Sequence, residues 1–288
     1  MGIDRRIIHR DAFLGALKAS PQLMGILNVT PNSFSDGGKH AATDAAIEAG
    51  RAMLAAGVDI IDVGGESTRP NAALVMPIQE IVRVRPVIEV LAQEGAVISA
   101  DTRHAATMEA ALAAGARIIN DVSGLKHDPR AATLVAQAGC PVVLMHMRGT
   151  PQTMDAQTHY INLLEDVLAE LTATRNAAIE AGIRAENIAL DPGFGFAKRT
   201  PQNLNLLRAT SRFVALGHPV LIGLSRKRFI GEVSGETDAA KRFPGSLAAG
   251  LYAISQGANL LRVHDVVETV QALRVWERLV AIEDDPDP

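Results

Sequence analysis

Three short aliphatic runs, ISAD at 98–101, IIND at 118–121 and IALD at 188–191, each end on or next to an acceptor: Asp101, Asn120 and Asp191. Carboxylates and an amide so placed can receive paired N–H groups from a flat, guanidine-like ring edge. Lys227, Arg69, Arg262 and His264 follow comparable runs and have the opposite character, which suits an anion such as phosphate. Asn28 and the segment TPNSFSDGG after it (30–38) add amide, hydroxyl and carboxylate oxygens, hard ligands fit for Mg²⁺ held jointly by protein and phosphate. The set describes a site with a polar heterocycle at its floor and a phosphate ester at its mouth, where cations stabilise a departing phosphate.

Such residues need a frame that gathers them. Eight β-branched or aliphatic runs occur, at 23–29, 60–63, 97–100, 117–122, 141–147, 188–190, 220–224 and 260–263, each bounded by Gly, Pro, Asp or Asn. Alanine-rich helical stretches such as ATDAAIEAGRAMLAAG follow them. Strand and helix alternate throughout, which predicts a parallel sheet covered by helices, and eight units in one chain predict a closed (β/α)₈ barrel, a TIM barrel. An open doubly wound sheet is the rival. The first helix is expected over 44–56 with Thr43 as its cap, and the longest over 155–181. No linker divides the chain, so residues 1–288 read as a single domain with its core at about 20–283 and a frayed acidic tail at 284–288. In a barrel the C-terminal strand ends share one face, and all eight carry polar residues, including Glu66, Asp121, His146, Ser225 and Arg226 beside those above.

Composition removes other classes. With 28 Lys+Arg against 32 Asp+Glu the net charge is −4, which gives no footprint for nucleic acid. A lone cysteine, Cys140, excludes a disulfide-stapled fold. No apolar run suits a membrane span or a signal peptide, so a cytoplasmic enzyme is expected. GFGF at 193–196 lacks dinucleotide-fingerprint spacing, and Walker A, HExxH, CxxC and GxSxG motifs are absent.

The segments MGILNVTPNSFSDGG (24–38), IIDVGGESTRP (60–70), ISADTR (98–103), IINDVSG (118–124), LDPGFGF (190–196), IGLSRKRFIG (222–231) and LRVHDVVETV (261–270) together resemble the dihydropteroate synthase family of pterin-binding barrels. The resemblance implies condensation of 6-hydroxymethyl-7,8-dihydropterin diphosphate with 4-aminobenzoate, giving 7,8-dihydropteroate and diphosphate, a step of folate biosynthesis. It implies pterin on Asp101, Asn120, Asp191 and Lys227, in a slot lined by Val122, Met145, Gly195 and Phe196. Diphosphate would lie on Asn28, Thr68, Arg69, Arg262 and His264, with Asn28 toward Mg²⁺. Aminobenzoate would meet Phe34, Thr68, Pro70, Phe196, Lys227 and Arg228, its carboxylate near the start of the helix after Lys227. Lys227, Arg262 and Asp101 would carry catalysis, in an SN1-like substitution needing no protein nucleophile. A homodimer and sensitivity to sulfonamides are implied as well.

Three positions depart from the family pattern: Asn32 where Asp is usual, Asn71 where Gly is common, and Arg228 where relatives have Ser. They bear on rate and on the second substrate rather than on the pterin floor. Some residues carry plainer readings. His146 reads as a hydrogen-bonded core histidine, Thr102–His104 as a helix start, Arg83 and Arg85 as solvated charges and Cys140 as a small buried apolar residue. Phe34, Phe194, Phe196 and Phe229 read as aromatics gathered around a flat substrate. Three other functions stay open: a pterin-dependent methyltransferase, which would need a corrinoid partner; a barrel that binds pterin without synthase activity; and a lyase with Lys227 as Schiff base.

Overall fold

The computed structural model describes residues 20–29, 38–68 and 74–280. Its strands are β1 (Gln22–Asn28), β2 (Ile60–Gly64), β3 (Ile98–Asp101), β4 (Ile118–Asp121), β5 (Val142–Met145), β6 (Ile188–Asp191), β7 (Leu221–Ile222) and β8 (Leu260–Val263). All neighbours pair in parallel in the order β6-β5-β4-β3-β2-β1-β8-β7. The remaining gap is bridged where Leu190 pairs with Val220 and the Leu190 amide donates to the Pro219 carbonyl at 2.8 Å. The expected barrel is present and the open sheet is not.

Between the strands run α1 (Gly38–Ala56), α2 (Pro77–Gln93), α3 (Ala105–Ala113), α4 (Ala131–Ala138), α5 (Leu163–Glu180), α6 (Thr200–Arg208), α7 (Thr210–Val214), α8 (Arg228–Ser234), α9 (Phe243–Ser255) and α10 (Val266–Val280). Strands β2, β4, β5 and β6 are buried at every residue, as parallel strands with side chains packed on both faces must be. Outward side chains such as Ile61, Ile98, Ile119 and Leu144 meet the helices in one large apolar cluster. Inward, Met24, Ile60, Val97, Ile118, Val143, Ala189, Leu221 and Leu260 close the bottom of the lumen, one from each strand run. Because inward positions recur every second residue, this ring dictates what comes next: Asp62, Ser99, Asn120, Met145, Asp191, Gly223 and Arg262.

Several local expectations are corrected. Helix α1 already begins at Gly38, so Thr43 lies inside it rather than capping it. The 155–181 pattern divides into a 3₁₀ turn at Met154–Ala156 and α5, whose cap Asn162 accepts from the Glu165 amide. Thr102–His104 lead into α3 as read, with His104 as its cap residue and the His104 amide donating to Thr102 Oγ1 at 3.2 Å, but Thr102 also donates to the buried Glu80 at 2.7 Å and Arg103 pairs with Glu66. Arg83 donates to the Gly65 carbonyl at 2.8 Å and so ties α2 to the loop after β2. Phe194 and Phe229 stack on each other in the core with centroids 6.3 Å apart, away from the lumen. Cys140 is buried, as expected.

Candidate active site

The lumen above the apolar ring is charged. Arg262, from β8, reaches across β1 to place Nε 2.6 Å from Asp62 Oδ2 and Nη2 2.6 Å from Asp101 Oδ2. Asn120 donates to the same Asp62 oxygen at 3.1 Å. Asp62, fully buried, therefore joins β2, β4 and β8. Burial works against the charge on Arg262, but the Asp62 and Asp101 carboxylates outweigh it and hold its pKa well above the usual range. Burial likewise pushes Asp101 upward, with Arg262 pulling back. At 2.6 Å the guanidinium and the carboxyl group are in direct contact.

Across the lumen stand Asp191 and Lys227. Asp191 Oδ1 accepts from the Gly193 amide at 2.7 Å; burial raises its pKa and that amide opposes the rise. Lys227 Nζ donates to the Phe194 carbonyl at 2.6 Å and sits 4.1 Å from the centre of the Phe196 ring. Burial draws its pKa down to about 8, against the attraction of Asp191. Gly195 is required here. Its φ of +77° is left-handed, and a Cβ would stand 2.9 Å from Lys227 Cδ. Val122, Met145 and Phe196 form one apolar wall with Met154 and Ala197. The structure thus gathers Asp101, Asn120, Val122, Met145, Asp191, Gly195, Phe196, Lys227 and Arg262 in one lumen.

The mouth is arranged differently. Asn28 ends β1 with its side chain exposed, and Thr68 is half-buried beyond β2. His264 lies beside Ser225, with Nδ1 3.1 Å from the Ser225 hydroxyl. Arg228 is exposed on the first turn of α8 and pairs with Glu232 on its own helix. Phe34, Arg69 and Pro70, with Asn32, Asp36 and Asn71, lie outside the described residues.

Three polar strand-end residues turn away from the lumen. Glu66 receives Arg103 through two bonds of 2.9 Å. Asp121 accepts the Ser123 and Leu125 amides. His146 bonds Glu170 and Lys198, a core histidine as read from the sequence. Two residues escaped that reading. Asp62 could have been found from the alternation Ile60–Asp62–Gly64, two steps before a strand end. Lys198 carried no signal beyond its place after GFGF.

The chain matches the family model described as "Pterin binding enzyme" over residues 24–264. It is 45% identical over 262 residues to a dihydropteroate synthase of Neisseria meningitidis serogroup C, covering 90% of this chain and 93% of that one. A solved dihydropteroate synthase of Xanthomonas albilineans with 4-aminobenzoic acid superposes with a TM-score of 0.86 at 48% identity, covering 92% and 94% of the two chains. The same organism's enzyme in complex with 7,8-dihydropteroate gives 0.83 at 44%, covering 96% and 97%. An eight-stranded barrel with this charged lumen belongs to the pterin-binding enzymes, and within them the chain belongs to the dihydropteroate synthases, transferases of folate biosynthesis.

Proposed function

We propose that this chain, working as one domain, joins 6-hydroxymethyl-7,8-dihydropterin diphosphate to 4-aminobenzoate at the lumen described above. The observation that carries the reading is the facing pair of charged groups, Asp62–Arg262–Asp101 with Asn120 on one side and Asp191–Lys227 on the other. The acceptors Asp101, Asn120 and Asp191 suit the N–H edge of a pterin, and the Val122–Met145–Phe196 wall suits its faces. The C–O bond between the pterin methylene and diphosphate breaks, and its electron pair leaves with diphosphate. The methylene cation is shared by the ring, and the Asp101 and Asp191 carboxylates stabilise it. The aminobenzoate nitrogen then attacks, and its proton leaves to solvent or to diphosphate. Nothing here calls for a nucleophile from the protein. Arg262, His264, Asn28, Thr68 and Arg69 would hold the leaving diphosphate, and Phe34, Thr68, Pro70, Phe196, Lys227 and Arg228 the aminobenzoate.

The donor set fits Mg²⁺ shared with substrate. Among the described residues no group of three or more His, Cys, Asp or Glu could hold a metal alone, while Asn28 offers an exposed amide at the mouth. When bound, Mg²⁺ would neutralise charge on the diphosphate. We extend the proposal to a cytoplasmic homodimer open to sulfonamides. No helix among the described residues is long and apolar enough to cross a membrane, and Val267, Val275 and Leu279 leave apolar surface exposed along α10. Sedimentation at two protein concentrations tests the dimer.

Growth of a folate-synthesis-deficient bacterium carrying this gene, without added pathway products, tests the function. A soluble chain that fails to support growth would favour a pterin binder without synthase activity. Lys227→Ala and Asp191→Ala should each nearly abolish turnover, and near-normal activity in both folded variants would sink the site.

A further inference from the structure

Behind the loop that grips Lys227 sits a second lysine, and it is buried. Lys198 is 4% exposed, and its Nζ lies 2.9 Å from His146 Nδ1, 3.0 Å from the Gly193 carbonyl and 3.0 Å from the Phe196 carbonyl. An ammonium has three N–H donors and no acceptor, and here three acceptors receive them. His146 Nδ1 must then accept, so Nε2 carries the proton and donates to Glu170 Oε2 at 3.0 Å. Burial first, then the charge of Lys198, draws His146 down to about 4, which agrees with a neutral ring. Burial draws Lys198 itself to about 7 while Asp191 opposes. Glu170 is held in turn by Arg148, whose guanidinium lies 3.9 Å over the Tyr160 ring, and Tyr160 Oη donates to the Ala197 carbonyl at 3.1 Å.

What this network holds is a tight turn. Gly193, Gly195 and Ala197 have φ of +71°, +77° and +52°. A Cβ at Gly193 would lie 2.0 Å from the His146 carbonyl oxygen, and Ala197 bears the strain that a side chain brings to this region. The residues between them, Phe194 and Phe196, supply the carbonyl and the ring that contact the Lys227 ammonium.

We propose that Lys198 is a positioning residue: by holding the Gly193 and Phe196 carbonyls it fixes the turn that aims Lys227 into the pterin pocket, an inference that rests on the function proposed above. Lys198 sits beneath this turn and acts only through it.

The test is Lys198→Met, which keeps the stem and removes all three donors, with Lys198→Arg beside it and Lys198→Gln in reserve should Met prevent folding. For folded protein, the dissociation constant of 6-hydroxymethyl-7,8-dihydropterin diphosphate by calorimetry, and its KM, should rise at least about tenfold, the cost of one lost charge-assisted contact. The KM for 4-aminobenzoate at saturating pterin should rise several-fold less, because Phe196 and Lys227 also touch it but Thr68 and Arg228 lie outside the turn, a split that general destabilisation would not produce. The Arg variant should recover part of the pterin affinity. A folded Met or Gln variant with both constants near normal, or with equal losses in both, overturns the proposal. Failure of both to fold makes Lys198 a folding residue and overturns it too. An unaltered chain that forms no dihydropteroate would instead remove the function proposed above, and pterin affinity would still decide the role of Lys198.

Discussion

At Ile60, Ile118, Ala189, Leu221 and Leu260 the lumen is lined by hydrocarbon, and two residues further along the same strands stand Asp62, Asn120, Asp191, Gly223 and Arg262. Except at Gly223, just past the end of β7, both rings sit on the same strands, and the side chains differ. The lower ring gives up its hydration freely and fills the lumen, so it contributes stability. The upper ring must pay for dehydration with ion pairs, and it does so with little to spare: one guanidinium serves both Asp62 and Asp101. A barrel can therefore keep its scaffold and its chemistry 2 residues apart, since substrate reaches only the end where the strands stop.

The largest expected effect comes from breaking the pairing of the upper ring. Arg262→Met leaves two buried carboxylates facing each other and should cost about 3–5 kcal/mol in urea unfolding. Its kcat/KM should fall by at least about a thousandfold, as expected when a charge aimed at the reacting centre is lost. A mild loss on both counts would show that the upper ring is not held together by charge. In the lower ring, Leu260→Ala should cost about 2–5 kcal/mol through the cavity it leaves. In that variant, kcat/KM of the folded fraction should stay close to that of the unaltered chain. A steep loss of kcat/KM there would erase the distinction between the rings.

Acidity probes the upper ring and leaves the hydrocarbon ring untouched. Lys227 is held down to about 8, so raising the pH through that value removes its proton and kcat/KM should fall. Its effect on stability runs the other way. The unfolded lysine keeps its proton up to about 10.5, so between pH 8 and 10.5 this group makes unfolding harder as pH rises. An alkaline limb that persists unchanged in Lys227→Arg would assign the titration elsewhere. The smallest effect is expected at Gly223, where a Cβ would make only ordinary contacts, 3.8 Å from Asp191 Oδ2 and 3.9 Å from Arg262 Cβ. Gly223→Ala should shift stability by no more than about 1 kcal/mol, yet raise the KM for the pterin substrate several-fold, because the methyl group enters the pocket.

Much of this was legible beforehand. The eight strand runs lie within a few residues of the observed strands, because short β-branched segments bounded by turn residues report their state locally. Asp101, Asn120, Asp191, Lys227 and Arg262 were found because they sit at strand ends. The same rule also singled out Glu66 and Asp121, which satisfy neighbouring groups outside the lumen, and it passed over Asp62, which is one inward step short of the end. It grouped Phe194 and Phe229 with Phe196, although their rings stack in the core. Facing cannot be read from a run that is apolar on both sides, since either set of alternate residues could line the lumen.

The order of strands and helices and the residue types at the strand ends were set by local sequence alone, because period and turn chemistry act over a few neighbours. Which of those polar groups would meet was decided only by closing the sheet. Arg262 lies 200 residues from Asp62 and 161 from Asp101, and barrel closure brings β8 beside β1 and so within reach of β2 and β3. Lys198 makes the same point from behind the pocket. Nothing local in the sequence marks it, and only the packing of His146 and the Gly193–Ala197 turn buries its charge and gives it three acceptors.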